Sequence, residues 1–437
     1  MINFKRYVLK NGLKVLLHKN PTTNITAVNL LYDVGARDEN PNRTGFAHLF
    51  EHLMFGGTKN VKNFDFVLQK AGGDNNAFTT NDITNYYITI PKQNLEIALF
   101  LEADRMNELA FSHKRLNVQR NVVIEEFKQR YFNKPYADVS LFLRPLAYKV
   151  HPYQWSTIGK EIRHIAEAKL NEVKEFFYNY YAPNNAILVV SGNISHDKSI
   201  KQIEKYFANI PVRDVPKRNL PQEPVQTEKR TLTLERKVPS DAIFMAYHMC
   251  GRNDKEYHAT DLISDLLSNG KSSLFERILV KEKKIFSEID AYIQGSLDPG
   301  LLLINGKLLP GIDFDTAESE IKNVLNIIKT GNFDERELQK VKNKSYSNTL
   351  FQLSENLNLA TELAFHELVF GAEKINDIEQ KIMNVSRNQI IEISNNIFND
   401  KNLSVIYYKS EKLYIIKKNK DENSKNKRSK EYKVQKT

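Results

Sequence analysis

The chain has 437 residues, 41% hydrophobic and 27% charged, with a formal net charge of +10. That is the composition of a soluble globular protein too long for one ordinary core, with room for roughly two to four units. No apolar run approaches the roughly 18–20 residues that span a bilayer, which excludes a membrane-spanning helix.

The N-terminal MINFKRYVLKNGLKVLLHKNP lacks the apolar core and small-residue cleavage site of a signal peptide. A cytoplasmic location is expected, with periplasm or an organelle the alternative for a processed precursor. Cys250 is the only cysteine, which excludes an internal disulfide and a thiolate metal site and fits a reducing compartment. Residues 417–437 hold nine Lys or Arg against three Asp or Glu. They are too polar to bury surface and read as a basic disordered tail. No recognition module accompanies them, so nucleic acid is not an expected partner.

The first residues read as a hairpin turning at Asn11-Gly12. Residues 24–34 alternate like a half-buried strand, Gly35 to Gly45 form a polar loop, and Thr44 is placed to cap the helix that follows. Residues 62–71 predict a short amphipathic helix stopped by Gly72-Gly73. Residues 75–91 read as one or two strands, 92–109 and 114–132 as helices, and 184–194 as a buried strand before a helix ending near 208. Four prolines in 210–226 mark a linker. Beyond it strands are expected at 229–237 and 241–249, helices at 257–268 and 272–284, and strands near 286–295 and 300–308. Helices at 313–330, 334–354, 356–370 and 386–398 then close on strand 403–408. The order of elements repeats although the residues do not. The expected fold is α+β, with two similar domains, 1–209 and 227–416, each a mostly antiparallel sheet packed against helices.

One stretch carries chemistry, His48-Leu49-Phe50-Glu51-His52. On a helix, His48 and His52 stand at i and i+4 with Glu51 on the same face. Two neutral imidazoles so spaced reach one Zn²⁺, and the carboxylate between them serves as general base toward the water that zinc activates. The order H-x-x-E-H is the inverzincin signature. A catalytic zinc needs a third protein ligand, and helix 115–131 offers adjacent Glu125 and Glu126, of which only one can face the metal.

The stretches NGLKVLL, GFAHLFEHLMFGGT, GGDNNAFTTNDITNYYITIP, QRNVVIEEFKQR, HPYQWSTIG and YYAPNNAILVVSGNI together resemble the pitrilysin family of zinc metallopeptidases. That family includes the subunits of mitochondrial processing peptidase and single-half bacterial members. The resemblance spans the first half by motif and the second by architecture. It implies one half-shell of a clamshell chamber and a zinc endopeptidase acting on peptides. Glu126 is then the third ligand, and Glu125 a solvated carboxylate. Gln119 stands where the family has a second glutamate, lining the site without charge. Asn76, Ala77 and Phe78 fall on the family's substrate-binding edge strand. His151 and Trp155 are assigned to packing, and the remaining histidines (18, 113, 164, 196, 248, 258 and 366) read as scattered and unpaired. The resemblance also implies an Arg/Tyr pair in the partner half, but Lys281 and Glu288 occupy those positions here. The expected partner is therefore a zinc-less family member supplying that pair, with a homodimer as the alternative.

Overall fold

The computed structural model describes residues 1–411. The basic stretch 417–437 lies outside them. The chain forms β1 (Lys5–Val8), β2 (Lys14–Lys19), β3 (Ile25–Tyr32), α1 (Phe46–Leu53), α2 (Phe64–Lys70), β4 (Asp74–Thr79), β5 (Thr84–Pro91), α3 (Leu95–Asn107), α4 (His113–Tyr131), α5 (Val139–Ala147) and β6 (Ala186–Gly192). Its second half carries β7 (Arg230–Arg236), β8 (Ala242–His248), β9 (Phe286–Gln294), β10 (Leu301–Leu308) and β11 (Leu403–Ser410), with helices between them.

The first sheet runs β1-β2-β6-β3-β5-β4 and the second β7-β11-β8-β10-β9. Without β1, the two orders correspond strand for strand. Each sheet has a single parallel pair, β2 with β6 and β7 with β11, at corresponding places. The fold is α+β, one architecture used twice.

Each sheet is covered on both faces, and each half lends the other a helix. One face of the first sheet packs on its own helices through Val28, Leu30, Leu188 and Val190. The opposite face, through Leu16, Ala27, Leu31 and Val189, packs on Leu359, Ala360, Leu363 and Ala364 of the helix Asn356–Val369. In return Leu143 and Ala147 of α5 cover Ala242, Phe244, Leu303 and Ile406 of the second sheet. This explains why β6 is buried throughout and why its sequence is continuously apolar instead of alternating. Sequence periodicity gave no sign of α5, which contains Pro145, nor of the helices Ile162–Ala166 and Leu170–Tyr180.

Residues 211–227 hold no regular element but are strapped to the first half. The Arg213 guanidinium donates to the carbonyls of Phe177, Tyr181, Met106 and Asn107. Arg218 pairs with Asp33 and Asp38.

The segment expected as helix 272–284 winds as a π-helix over Phe275–Glu282, with the Lys283 N–H donating to the Ile278 carbonyl at 2.9 Å.

The halves also meet through a buried polar junction. Asp82 accepts from the Tyr153 hydroxyl at 2.5 Å and from the Leu297 N–H at 2.9 Å, and lies 3.2 Å from the Arg37 guanidinium. Asp298 stands 3.4 Å from both Arg37 and His151. Removing one carboxylate from such a set leaves buried donors unmatched. Asp82→Ala is expected to lower unfolding free energy by about 3 kcal/mol. Urea denaturation checks this, and an unchanged midpoint would show that the junction contributes nothing.

Candidate active site

The helix carrying the histidines is held at its start by an acidic side chain, not by the expected Thr44. The residue flanking α1 is Gly45, at φ 91° in the left-handed region, and a Cβ there would meet the Ile158 carbonyl oxygen at 2.7 Å. Glu39, buried, accepts from the Gly45 and Ala47 N–H groups, each at 2.8 Å, and so meets two of the helix's free donors; burial pushes its pKa up to about 8, and those two bonds work against the rise. The Thr44 hydroxyl instead bonds His164 Nδ1 at 2.9 Å and accepts from the Lys160 N–H at 2.8 Å. Farther along, the Phe50 ring stacks on Phe176 and Tyr181 with centroids 5.3 and 5.1 Å away. Six of the eight residues of α1 are buried, leaving only Glu51 and His52 partly open.

His48 and His52 lie one turn apart, their ring centroids separated by 4.9 Å. α4 packs across α1 and brings Glu126 to both rings. Its Oε1 is 3.5 Å from His48 Nε2, and its Oε2 is 3.3 Å from His52 Nε2. Among the described residues this is the single group of three His, Cys, Asp or Glu whose ligand atoms converge, all within 4.8 Å of one another. Four ligands around zinc at about 2.0–2.1 Å have tetrahedral edges of about 3.3–3.4 Å, and the 3.3 and 3.5 Å separations, each from a different Glu126 oxygen, lie close to that edge. Two imidazoles, one carboxylate and room for a fourth ligand make a donor set that fits a catalytic zinc. Burial pushes His48 down to about 4, keeping the ring neutral as a ligand must be. The bond from His52 holds Glu126 below its ordinary range.

Glu51 Oε2 accepts from the Thr79 hydroxyl at 2.7 Å. Burial raises its pKa, and the Thr79 bond works against that rise. Thr79 ends β4, which among the described residues pairs only with β5, leaving its other edge free of them. On that strand Asn76 is exposed and accepts the Ala77 N–H through its own Oδ1 at 2.8 Å. Ala77 packs toward the first core, while Phe78 packs toward the face covered by the helix Asn356–Val369. The free edge and the carboxylate of Glu51 are thus one hydrogen bond apart.

Glu125 points away, exposed and paired with Lys128 at 2.6 Å. Gln119 is half-buried and makes no hydrogen bond to the cluster among the described residues. His151 Nδ1 accepts the Tyr153 N–H at 3.2 Å, and Trp155 Nε1 donates to the Ala36 carbonyl at 3.0 Å, both structural contacts. Several other histidines are not unpaired as expected. His18 bonds Ser191, His164 bonds Thr44, His248 bonds the Ala147 carbonyl and His366 bonds that of Glu362. None joins a metal-binding group.

Lys281 and Glu288 do not converge. The Lys281 ammonium donates to the Lys271 carbonyl at 3.1 Å, whereas Glu288 on β9 pairs with Lys307 at 2.6 Å. Lys281 lies at the end of the π-helix and Glu288 on β9, on two different elements joined by a short turn.

Sequence profiles of one family cover most of the chain. Residues 14–160 match Insulinase (Peptidase family M16), and residues 167–345 match the Peptidase M16 inactive domain. The chain belongs to the pitrilysin-type M16 family. It is 29% identical over 409 residues to the zinc protease PqqE of Helicobacter pylori, covering 92% of this chain and 91% of that one. It superposes on the crystal structure of a protease from Helicobacter pylori with a TM-score of 0.87 and 28% identity, over 94% and 100% of the two chains. The periplasmic protease PqqL of Escherichia coli has the same fold, TM-score 0.76 at 20% identity, and this chain matches 48% of its length. Relatives in this family carry the name zinc protease, among them YmxG of Bacillus subtilis, 26% identical over 377 residues, covering 85% of this chain and 90% of that one. Among the described residues of this chain no helix is long and apolar enough to cross a membrane.

If Glu126 is the ligand and Glu125 is not, the two isosteric changes separate. Glu126→Gln should weaken zinc binding by more than the roughly 10–100-fold that losing an outer partner costs, while Glu125→Gln leaves it unchanged. Competition against a chromogenic zinc chelator measures both. The reverse pattern would give the site to Glu125.

Proposed function

We propose that this protein is a zinc endopeptidase acting on unfolded peptides or short protein segments. His48, His52 and Glu126 hold one zinc, and Glu51 carries the proton. The observation that supports this best is the placement of Glu51, beside the three convergent ligand atoms and hydrogen-bonded to the end of a free sheet edge. When bound, zinc supplies Lewis acidity, bringing water to a pKa of about 7 and polarising a carbonyl.

The chain's own residues do the rest. Glu51 takes one proton from the attacking water and delivers it to the leaving amine nitrogen, ending as it began. The water oxygen joins the acyl carbon as the C–N bond breaks. Thr79 fixes one carboxylate oxygen and leaves the other free for the proton. A peptide added as a further strand along β4, at Asn76, Ala77 and Phe78, is held by backbone hydrogen bonds that read little of its sequence. Gln119 brings no charge near the cluster and moderates zinc affinity without abolishing it.

The chain serves as one half-shell. Donors aimed at the developing oxyanion are worth several kcal/mol, and Lys281 and Glu288 are engaged elsewhere. The complement is a zinc-less family member supplying an Arg/Tyr pair, or a second copy of this chain. That same engagement of Lys281 and Glu288 favours the second reading, a non-catalytic assembly subunit. The four residues His48, Glu51, His52 and Glu126, all present, weigh against it.

Hydrolysis of a quenched fluorescent peptide by the zinc-loaded chain decides between them. Glu51→Gln should keep its zinc and lose about 10²–10⁴-fold in kcat. An active purified Glu51→Gln enzyme would remove Glu51 from the mechanism. Wild-type activity appearing only with a zinc-less relative gives the heterodimer, and inactivity with every partner gives the assembly subunit.

A further inference from the structure

Beside the metal cluster the two halves leave a cleft of about 420 Å³, walled by Phe78–Ile83 on one side and Gln294–Ser296 on the other. A second hollow of about 310 Å³ shares Arg130, Arg144, Ser156 and Gln294 with it, so the two form one trough. The far wall of that second hollow is β9 and β10 of the other half.

Arginines outnumber carboxylates in this trough. Arg130, Arg144 and Arg252 line it, and the carboxylates facing them are Asp82 and Glu362. Asp82 is already engaged by Arg37, Tyr153 and the Leu297 N–H. Glu362 stands 3.6 Å from His366.

None of the three arginines has a carboxylate partner among the described residues. Arg144 uses a single terminal nitrogen on neutral acceptors, Asn81 Oδ1 at 3.2 Å and the carbonyls of Tyr153 and Trp155 at 3.2 and 2.9 Å. Its burial lowers its pKa, as expected of a guanidinium kept from water without a counter-charge. Arg252 lies over the ring of Phe365, 4.5 Å from its centroid. Arg130 is exposed and, among the described residues, makes no hydrogen bond or ion pair. It follows Glu126 by four residues on α4, so it stands one turn beyond the metal cluster on the same face.

The trough begins where the free edge of β4 ends. Phe78 and Thr79 line it, and Thr79 holds Glu51. A peptide laid along β4 therefore runs out of the cleavage position into a channel carrying guanidinium groups whose forks match a carboxylate.

We propose that Arg130 and Arg144 form an anion subsite that takes a carboxylate of the bound peptide, from an acidic side chain or from its C-terminus. The subsite rests on the peptidase reading above and adds its specificity: acidic or carboxy-terminal segments are preferred, and basic residues at that position are rejected.

Binding tests this without turnover. The full zinc-loaded chain carrying Glu51→Gln is titrated with fluorescent peptides of one sequence, bearing Glu or Gln at successive positions and a free or amidated C-terminus. Fluorescence anisotropy should give at least one carboxylate-bearing member about tenfold or more tighter binding than its neutral counterpart. That advantage should shrink with added salt. An internal Glu that gains marks a side-chain subsite, and a free terminus that gains marks a terminal one. Arg130→Gln should remove most of the advantage and Arg130→Lys keep part of it, with Arg144→Gln acting in the same direction. Because Arg130 is exposed and unbonded, its replacement does not disturb packing, and the outcome does not hang on the Arg144 variant folding. Peptides that bind equally whatever their charge, or an advantage that survives Arg130→Gln, would overturn the subsite. Failure of every peptide to bind, both to the chain alone and with a zinc-less relative added, would overturn the peptidase reading itself.

Discussion

A helix buried almost all round has few places for ionisable side chains, and α1 carries three in five residues. Phe46, Leu49, Phe50 and Leu53 lock it into the first core, which fixes the face that carries His48, Glu51 and His52. A polar group left unmatched in such a setting is costly, and His48 Nδ1 is one such atom among the described residues. Glu126 meets the two rings, Thr79 meets Glu51, and Glu39 meets the helix's own first N–H groups. The site follows from packing: the core that fixes α1 also fixes the distance between the imidazoles and the facing helix.

The exchange of helices between halves extends the same logic. A sheet covered on both faces has only its edges left for a ligand, and β4 is the edge beside α1. The helix Asn356–Val369 supports that sheet from behind while its Thr361, Glu362 and Phe365 help to wall the cleft in front of Thr79. Rigid backing on one side and a charged trough on the other come from the same inter-half contact. The Asp82 junction, at the turn between β4 and β5, ties that edge to the second half through Leu297.

Much of this was legible in the residues. Helical spacing put His48, Glu51 and His52 on one face, and alternation with turn residues located most strands to within a residue or two. The adjacent pair Glu125 and Glu126 could not be resolved by spacing alone; the family resemblance pointed to Glu126, and the structure places it against both rings. What escaped was long-range. Glu39 is six residues before Gly45 in a loop with no periodic signal, so its capping role was invisible and Thr44 looked the better candidate. Arg105, fully buried against Glu102 and under the rings of Phe64 and Tyr86, broke the apolar pattern of α3. The segment expected as an ordinary helix over 272–284 winds as a π-helix at Phe275–Glu282, a form with no signal in the apolar spacing. Arg130 and Arg144 sit on the consecutive helices α4 and α5, but the wall that faces them, with Gln294, comes from the second half, and only folding assembles the trough.

The claim on which everything else stands is that α1 and α4 together hold a zinc. X-ray absorption at the zinc edge, on the full chain loaded with one equivalent, tests it most directly. The account predicts a first shell of nitrogen and oxygen at about 2.0–2.1 Å with the outer scattering of two imidazoles. A shell with fewer than two imidazoles, or one containing sulfur, would contradict it.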